Sequence, residues 1–166
     1  MKNETVIAYN ARNATPDAEK DLTMLFDARI RLAGRKKPSV SVRTLAALEA
    51  FLTPMYKNAA FEELKAIAVD AQLNVIAVTT ISEGDLSVCS VYPRKIAAFA
   101  LLSNAHGIML AHNHPGGTCT PSCEDITATG QVRDALRLFG IYLWEHVIYA
   151  GSGKIYSMSR NGDIKL

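Results

Sequence analysis

Residues 107 to 125 constrain this chain more than any other stretch. Gly107-Ile108-Met109-Leu110-Ala111 is a short apolar run of the kind that fills a buried strand. It leads into His112-Asn113-His114 and then Pro115-Gly116-Gly117, which ends strand pairing and lets the chain fold back. Strand side chains alternate with period two, so His112 and His114 leave the strand end on the same side. A helical pattern starts at Pro121-Ser122, and Ser122 and Asp125, three residues apart, share one face of its first turn. A strand, a glycine-bearing loop and a helix start therefore meet at two imidazoles and a carboxylate. Three such ligands with a fourth position open to water make a catalytic zinc site. Both halves also have a purely structural reading. Ser-x-x-Asp ahead of a helix is close to a capping box, and His-x-His in a turn can be hydrogen-bonded polar surface.

The surrounding pattern alternates strands and helices. Leu64 to Asp70 and Asn74 to Ile81 read as a hairpin around Ala71-Gln72-Leu73, and Leu86 to Val91 as a third strand. Pro93 opens a helix carrying Ile96, Ala97, Phe99, Ala100 and Leu101, with His106 read at a helix terminus. The helix after the site loop is expected from about Cys123 to Leu138, its inner face using Val132, Ala135, Leu136 and Phe139, with Gly140 as its cap. Tyr142 to Tyr149 and Lys154 to Met158 read as the last strands, separated by the turn Gly151-Ser152-Gly153. This order predicts an α/β sandwich with a mixed sheet.

Residues 1 to 58 form an N-terminal segment packing on that domain. It shows a short strand at Thr5 to Tyr9, a helix from Thr15-Pro16-Asp17 to about Ala33, a break at Gly34, and a second helix through Leu45, Leu48, Phe51 and Leu52. Arg29, Arg31, Arg35, Lys36 and Lys37 read first as a solvated helix end and second as a contact for an acidic partner. The net charge of +2 is too small to argue nucleic-acid binding by itself. No apolar run is long enough to span a bilayer, and no signal-peptide pattern follows Met1. Cys89, Cys119 and Cys123 have no disulfide-framework spacing, which favours a reducing cytoplasm.

The spacing His112-x-His114, seven residues, Ser122-x-x-Asp125 resembles the JAMM (MPN+) metalloprotease motif. The flanking stretches Val91-Tyr92-Pro93-Arg94, Leu101 to Ala105, Ala111 to Pro115, Pro121 to Asp125 and Leu138 to Ile141 are similar to the JAB domain of the RadC family. The resemblance covers residues 59 to 166 and implies a three-layer, cytidine-deaminase-like architecture. It also implies zinc (Zn2+) held by His112, His114 and Asp125, with water activated near neutral pH. It gives the general-base role to Glu62, two residues before the bulky Leu64, and oxyanion stabilisation to Ser122. Alternation puts Glu62 on a face with Leu64, Ala66 and Ala68, and Glu63 with Lys65, Ile67 and Val69.

The implied activity is a zinc-dependent metallopeptidase or isopeptidase-like hydrolysis of an amide bond in a peptide or protein substrate. The alternatives are a non-catalytic metal-binding scaffold and a DNA-repair-associated accessory protein. RadC-type proteins carry a helix-hairpin-helix DNA-binding module that finds no match here, so specific DNA binding is expected to be weak or absent. Deamination is discounted, since zinc deaminases use H-x-E with P-C-x-x-C. Cys119 and Cys123 flank the motif, leaving a His/Cys site conceivable, although ordinary loop and helix residues are the commoner reading. His146, grouped by alternation with Tyr142, Trp144 and Ile148, reads as a buried structural histidine. The family often has Asp just before it, where this chain has Glu145. Substrate identity and oligomeric state are not legible in the sequence.

Overall fold

The computed structural model describes residues 40–84, 91–115, 117, 119–151 and 153–165. The expected Thr5 to Tyr9 strand, the helix to Ala33, the basic cluster, Cys89 and most of the Leu86 to Val91 strand lie outside these residues. The elements run α1 (Leu45–Tyr56), β1 (Glu62–Val69), β2 (Val75–Gly84), α2 (Pro93–Leu102), β3 (Gly107–His114), α3 (Cys123–Arg137), β4 (Tyr142–Ala150), β5 (Ile155–Ser157) and α4 (Met158–Asn161). The sheet order is β2-β1-β3-β4-β5. β1 pairs antiparallel with both β2 and β3, β3 and β4 are parallel, and β4 and β5 are antiparallel. The fold is therefore an α/β three-layer sandwich on a mixed sheet.

Alternation along the strands builds the two outer layers. Leu64, Ala66 and Ala68 of β1 and Ile108 and Leu110 of β3 face α2 and α3, where they meet Ile96, Phe99, Val132 and Leu136. Ile67 and Val69, with Met109 and Ala111, face the other way and pack under Leu48, Leu52 and Tyr56 of α1. The β1–β2 hairpin is held at its turn by Asp70, whose carboxylate accepts from Gln72 N, Asn74 N and Asn74 Nδ2. Leu73 turns there with φ 57°.

Several boundaries differ from the sequence expectation, each for a physical reason. β3 runs through both histidines to His114, because β4 pairs with it residue by residue as far as Ala150. α3 ends at Arg137; Phe139 is exposed rather than on the inner face, and Ile141 enters the core instead. Gly140 does take a left-handed conformation, with φ 68°. Met158 leaves β5 to start α4, because Ser157 caps that turn by accepting from Arg160 N. His106 lies beyond the end of α2: its N–H donates to Val69 and its carbonyl accepts from Tyr142, joining β1 to β4.

β4 also breaks strict alternation. Its pairing with β3 shifts between Ile108–Leu143 and Met109–Glu145, leaving Trp144 as the extra residue of a bulge. Leu143 and His146 consequently share the α3 face, and His146 does not share a face with Tyr142 and Trp144. Gly107 makes room for the bulge. A Cβ there would collide with the Trp144 indole and stand 2.9 Å from the Tyr142 carbonyl oxygen.

Candidate metal centre

The C-terminal end of the parallel pair β3–β4 opens towards the start of α3. His112 and His114 project there from one face of β3, as period-two alternation requires. Their Nε2 atoms stand 2.9 Å apart. Asp125 reaches in from the first turn of α3, its Oδ1 lying 3.6 Å from His112 Nε2. Glu62, at the first residue of β1, brings a carboxylate oxygen within 4.8 Å of a ring nitrogen from each of the two histidines. The tight group of possible ligand atoms is therefore Glu62, His112 and His114, rather than the expected His112, His114 and Asp125; Asp125 adjoins it at His112, with Ser122 beside Asp125.

The α3 start has both features that the sequence left open. Ser122 is its N-cap, and the capping box is complete. Ser122 Oγ accepts from Asp125 N at 3.0 Å, while Asp125 Oδ2 accepts from Ser122 N at 2.8 Å and from Ser122 Oγ at 2.7 Å. Asp125 therefore divides its carboxylate. Oδ2 closes the helix start, and Oδ1 is left facing the imidazoles. The carboxylate also sits in the first turn of α3, at the positive end of the helix dipole.

Alternation also separates the two glutamates. Glu63 points to the α1 side and forms an ion pair of 2.5 Å with Lys65, which lies over the Tyr56 ring. Glu62 points to the α3 side, where burial raises its carboxyl pKa, His114 pulls it back down and Asp125 pushes it up again. Asn113, the residue between the histidines, faces away from them and brackets Glu62. Its Oδ1 accepts from Glu63 N at 2.8 Å and its Nδ2 donates to the Phe61 carbonyl at 2.9 Å. The side-chain amide thereby continues the β1–β3 ladder beyond its last backbone pair, Leu64–His112.

Behind the histidines lies a contact the sequence did not reveal. His146 is buried and stands 2.9 Å from His112, Nε2 to Nδ1. Its other nitrogen meets Thr129 Oγ1 at 2.6 Å. Since His112 already turns Nδ1 to His146, only its Nε2 faces His114, Asp125 and Glu62. Glu145 serves a different end: its carboxylate accepts from Ser157, Ser159 and the His146 backbone N–H, tying β4 to β5 and α4. Neither Cys119 nor Cys123 joins a metal-ligating group among the described residues. Arg94 is exposed in the first turn of α2.

The donor set fits a small metal ion. Ligands bonded at about 2.0–2.1 Å around a tetrahedral ion lie roughly 3.3 Å apart. The 2.9 Å and 3.6 Å separations measured here bracket that spacing. The ligand forms fit as well. Burial drives the His112 pKa down to about 4, against a raising influence from Asp125 and a further lowering one from His114. Burial likewise holds the His146 pKa well below 6.5. Both rings are neutral at neutral pH, as metal ligation and its support require.

These depressed values make an acid-stability prediction. The folded chain resists protonation of His112 whereas the unfolded chain does not, so the stabilisation is complete above the unfolded value of 6.5 and is lost as pH falls towards about 4. Metal-free protein should show a melting temperature that declines through this interval, by an amount corresponding to a few kcal/mol. A His112→Gln variant should flatten the decline. An unchanged slope in that variant would assign the acid sensitivity to other groups.

A mixed-sheet sandwich with His-x-His on a central strand and Ser-x-x-Asp at the following helix start defines a JAB-type domain. The family model for the RadC-like JAB domain matches residues 42–163. The chain belongs to that family. Among similar proteins, a UPF0758 protein of Bordetella bronchiseptica is 37% identical over 142 residues, covering 82% of this chain and 63% of that protein. A UPF0758 protein of Chromohalobacter salexigens is 38% identical over 112 residues, covering 68% of this chain and 50% of that protein. This chain therefore spans less than two thirds of the length of these relatives. Among the described residues, no helix is long and apolar enough to cross a membrane.

Proposed function

We propose that this chain is a zinc-dependent hydrolase of amide bonds, of the peptidase or isopeptidase type, acting on a peptide or protein substrate. The observation that carries the reading is the grouping of the Glu62 carboxylate with His112 and His114, whose Nε2 atoms stand 2.9 Å apart, and Asp125 Oδ1 lying 3.6 Å from His112 Nε2. His112, His114 and Asp125 would hold the ion. Bound there, zinc supplies Lewis acidity for the attacking water and the substrate carbonyl.

The remaining steps fall to the chain's own side chains. Glu62, partly buried with a raised pKa, takes a proton from the attacking water as its oxygen bonds to the carbonyl carbon. The same carboxylate passes that proton to the leaving nitrogen as the C–N bond breaks, giving a carboxylic acid and an amine. Ser122 stands on the rim of the site, where its hydroxyl can donate to the developing oxyanion. A shift of Glu62's pKa towards neutrality suits a group that must accept and return one proton.

Purified protein should contain about one zinc per chain, as a three-ligand site requires. His114→Ala and Asp125→Ala should each abolish that stoichiometry in elemental analysis. A peptide library should be cleaved by wild type and spared when a chelator is present. Full zinc occupancy in both variants would overturn the ligand assignment. Chelator-resistant cleavage would overturn the role of the metal.

A further inference from the structure

The contact behind His112 has a direction, because one of its members has a single proton to give. Thr129 Oγ1 donates to the Asp125 carbonyl at 2.5 Å, and a carbonyl can only accept. The Thr129 hydroxyl therefore has no proton left for His146 and must accept from it, which places a hydrogen on His146 Nδ1. His146 is fully buried, and among the described residues no carboxylate touches its ring. A neutral ring protonated at Nδ1 carries its lone pair at Nε2. That lone pair faces His112 Nδ1 at 2.9 Å, so His112 must donate from Nδ1 and carry its own lone pair at Nε2. Nε2 is the atom that looks into the site.

We infer that Thr129 and His146 are positioning residues that fix His112 as the Nδ1–H tautomer, so that its Nε2 lone pair is already aimed at the metal before the ion arrives. The inference rests on the reading of His112 as a ligand. The relay starts at the backbone carbonyl of Asp125, whose side chain supplies a third ligand, and ends at the first ligand. It therefore couples the α3 start to β3 through β4. A ligand histidine whose second nitrogen donates to a fixed acceptor has a set ring orientation and a more basic ligating nitrogen. A buried imidazole fills the acceptor role here, and its own orientation is set by a threonine one helical turn beyond Asp125.

Two measurements test this. Long-range proton–nitrogen NMR on zinc-free protein at neutral pH should show both His112 and His146 as Nδ1–H tautomers. An Nε2–H pattern at His112 would overturn the inference. Zinc affinity, read by competition with a chromophoric chelator, should fall about 10–100-fold in His146→Leu. His146→Gln keeps an acceptor oxygen near the position of Nε2 and should recover most of that loss, which a purely packing role would not produce. Thr129→Val should fall between the two. Wild-type zinc affinity in both His146→Leu and Thr129→Val would refute the relay. Should His146→Leu fail to fold, Thr129→Val and the wild-type spectrum still decide. Should wild type bind no zinc, the functional reading falls, while the tautomer pattern still judges the relay independently.

Discussion

Glu62→Gln should yield a folded protein that keeps its zinc and loses hydrolysis by roughly 10²–10⁴-fold, the scale of a general base. Glu63→Gln should be nearly silent in the same assay. The two residues are neighbours, yet they point to opposite layers. Glu63 is paired with Lys65 beneath α1, whereas Glu62 lies beside His112 and His114. An amide at position 62 occupies almost the same volume but cannot accept the water's proton. The substitution has a second consequence, of opposite sign. The Glu62 pKa is raised in the folded chain, so its ionised form is disfavoured there relative to the unfolded chain. Above that pKa the charge costs stability, and below 4.5 the cost disappears because both states are protonated. Metal-free Glu62→Gln protein should therefore melt no lower than wild type at neutral pH, and the difference should vanish in acid. An active Glu62→Gln beside an inactive Glu63→Gln would transfer the base to the other face of β1.

The separation of these glutamates was legible in the sequence because β1 and β3 pair without a break from Leu64–His112 to Val69–Gly107. Period-two alternation holds along β1 and β3 themselves, because the irregularities of the β1–β2 ladder put their extra residues, Ile76 and Ile81, on β2. Ser122 and Asp125 were legible for the analogous helical reason. The capping box uses Asp125 Oδ2 and leaves Oδ1 facing His112, so the capping reading and the proposed ligand reading of that motif do not compete. His146 shows where alternation stops helping. Counting by twos grouped it with Tyr142 and Trp144, but Trp144 is itself the extra residue between Leu143 and Glu145, so the count slips by one before His146. Gly107 is what accommodates this bulge, and that reason exists only once β3 and β4 are side by side.

Thr129 was missed although its spacing was available. Asp125, Thr129, Val132 and Leu136 follow one another at intervals of four, three and four, a single helix stripe. A stripe that begins at the capping Asp125 and continues through a buried threonine into the core marks that hydroxyl as one needing a partner. The helix supplies the acceptor, the Asp125 carbonyl, but the donor comes from a strand packed against it. Periodicity within one element cannot name such a partner. The segment 42–58 illustrates the same limit. The family match begins at residue 42, and Leu48, Leu52 and Tyr56 of α1 cover one face of the sheet. Tyr56 donates to the Ala111 carbonyl at 2.7 Å, immediately before His112, which nothing in the amphipathic pattern of α1 announces.

Ser122→Ala should lose about 1 kcal/mol of stability through its cap and a further hundredfold or more of turnover through its hydroxyl. The two losses can be separated. The Ser122 proton is held by Asp125 Oδ2, so donation elsewhere requires that bond to break. That same oxygen, however, also accepts from the Ser122 backbone N–H at 2.8 Å. If the hydroxyl rotates towards an oxyanion, Asp125 Oδ2 keeps one donor and the helix start stays closed. The hydroxyl is exposed at the rim, so no packing opposes the rotation. Glycine at an N-cap costs only a few tenths of a kcal/mol. Ser122→Gly should therefore melt close to wild type and retain zinc while losing as much turnover as Ser122→Ala. Ser122→Thr, which keeps both the cap and the donor, should recover most of both. Turnover that follows melting temperature across the three variants would make Ser122 a helix cap and nothing more; turnover lost in Ser122→Gly at near-native stability would tie the hydroxyl to the reaction.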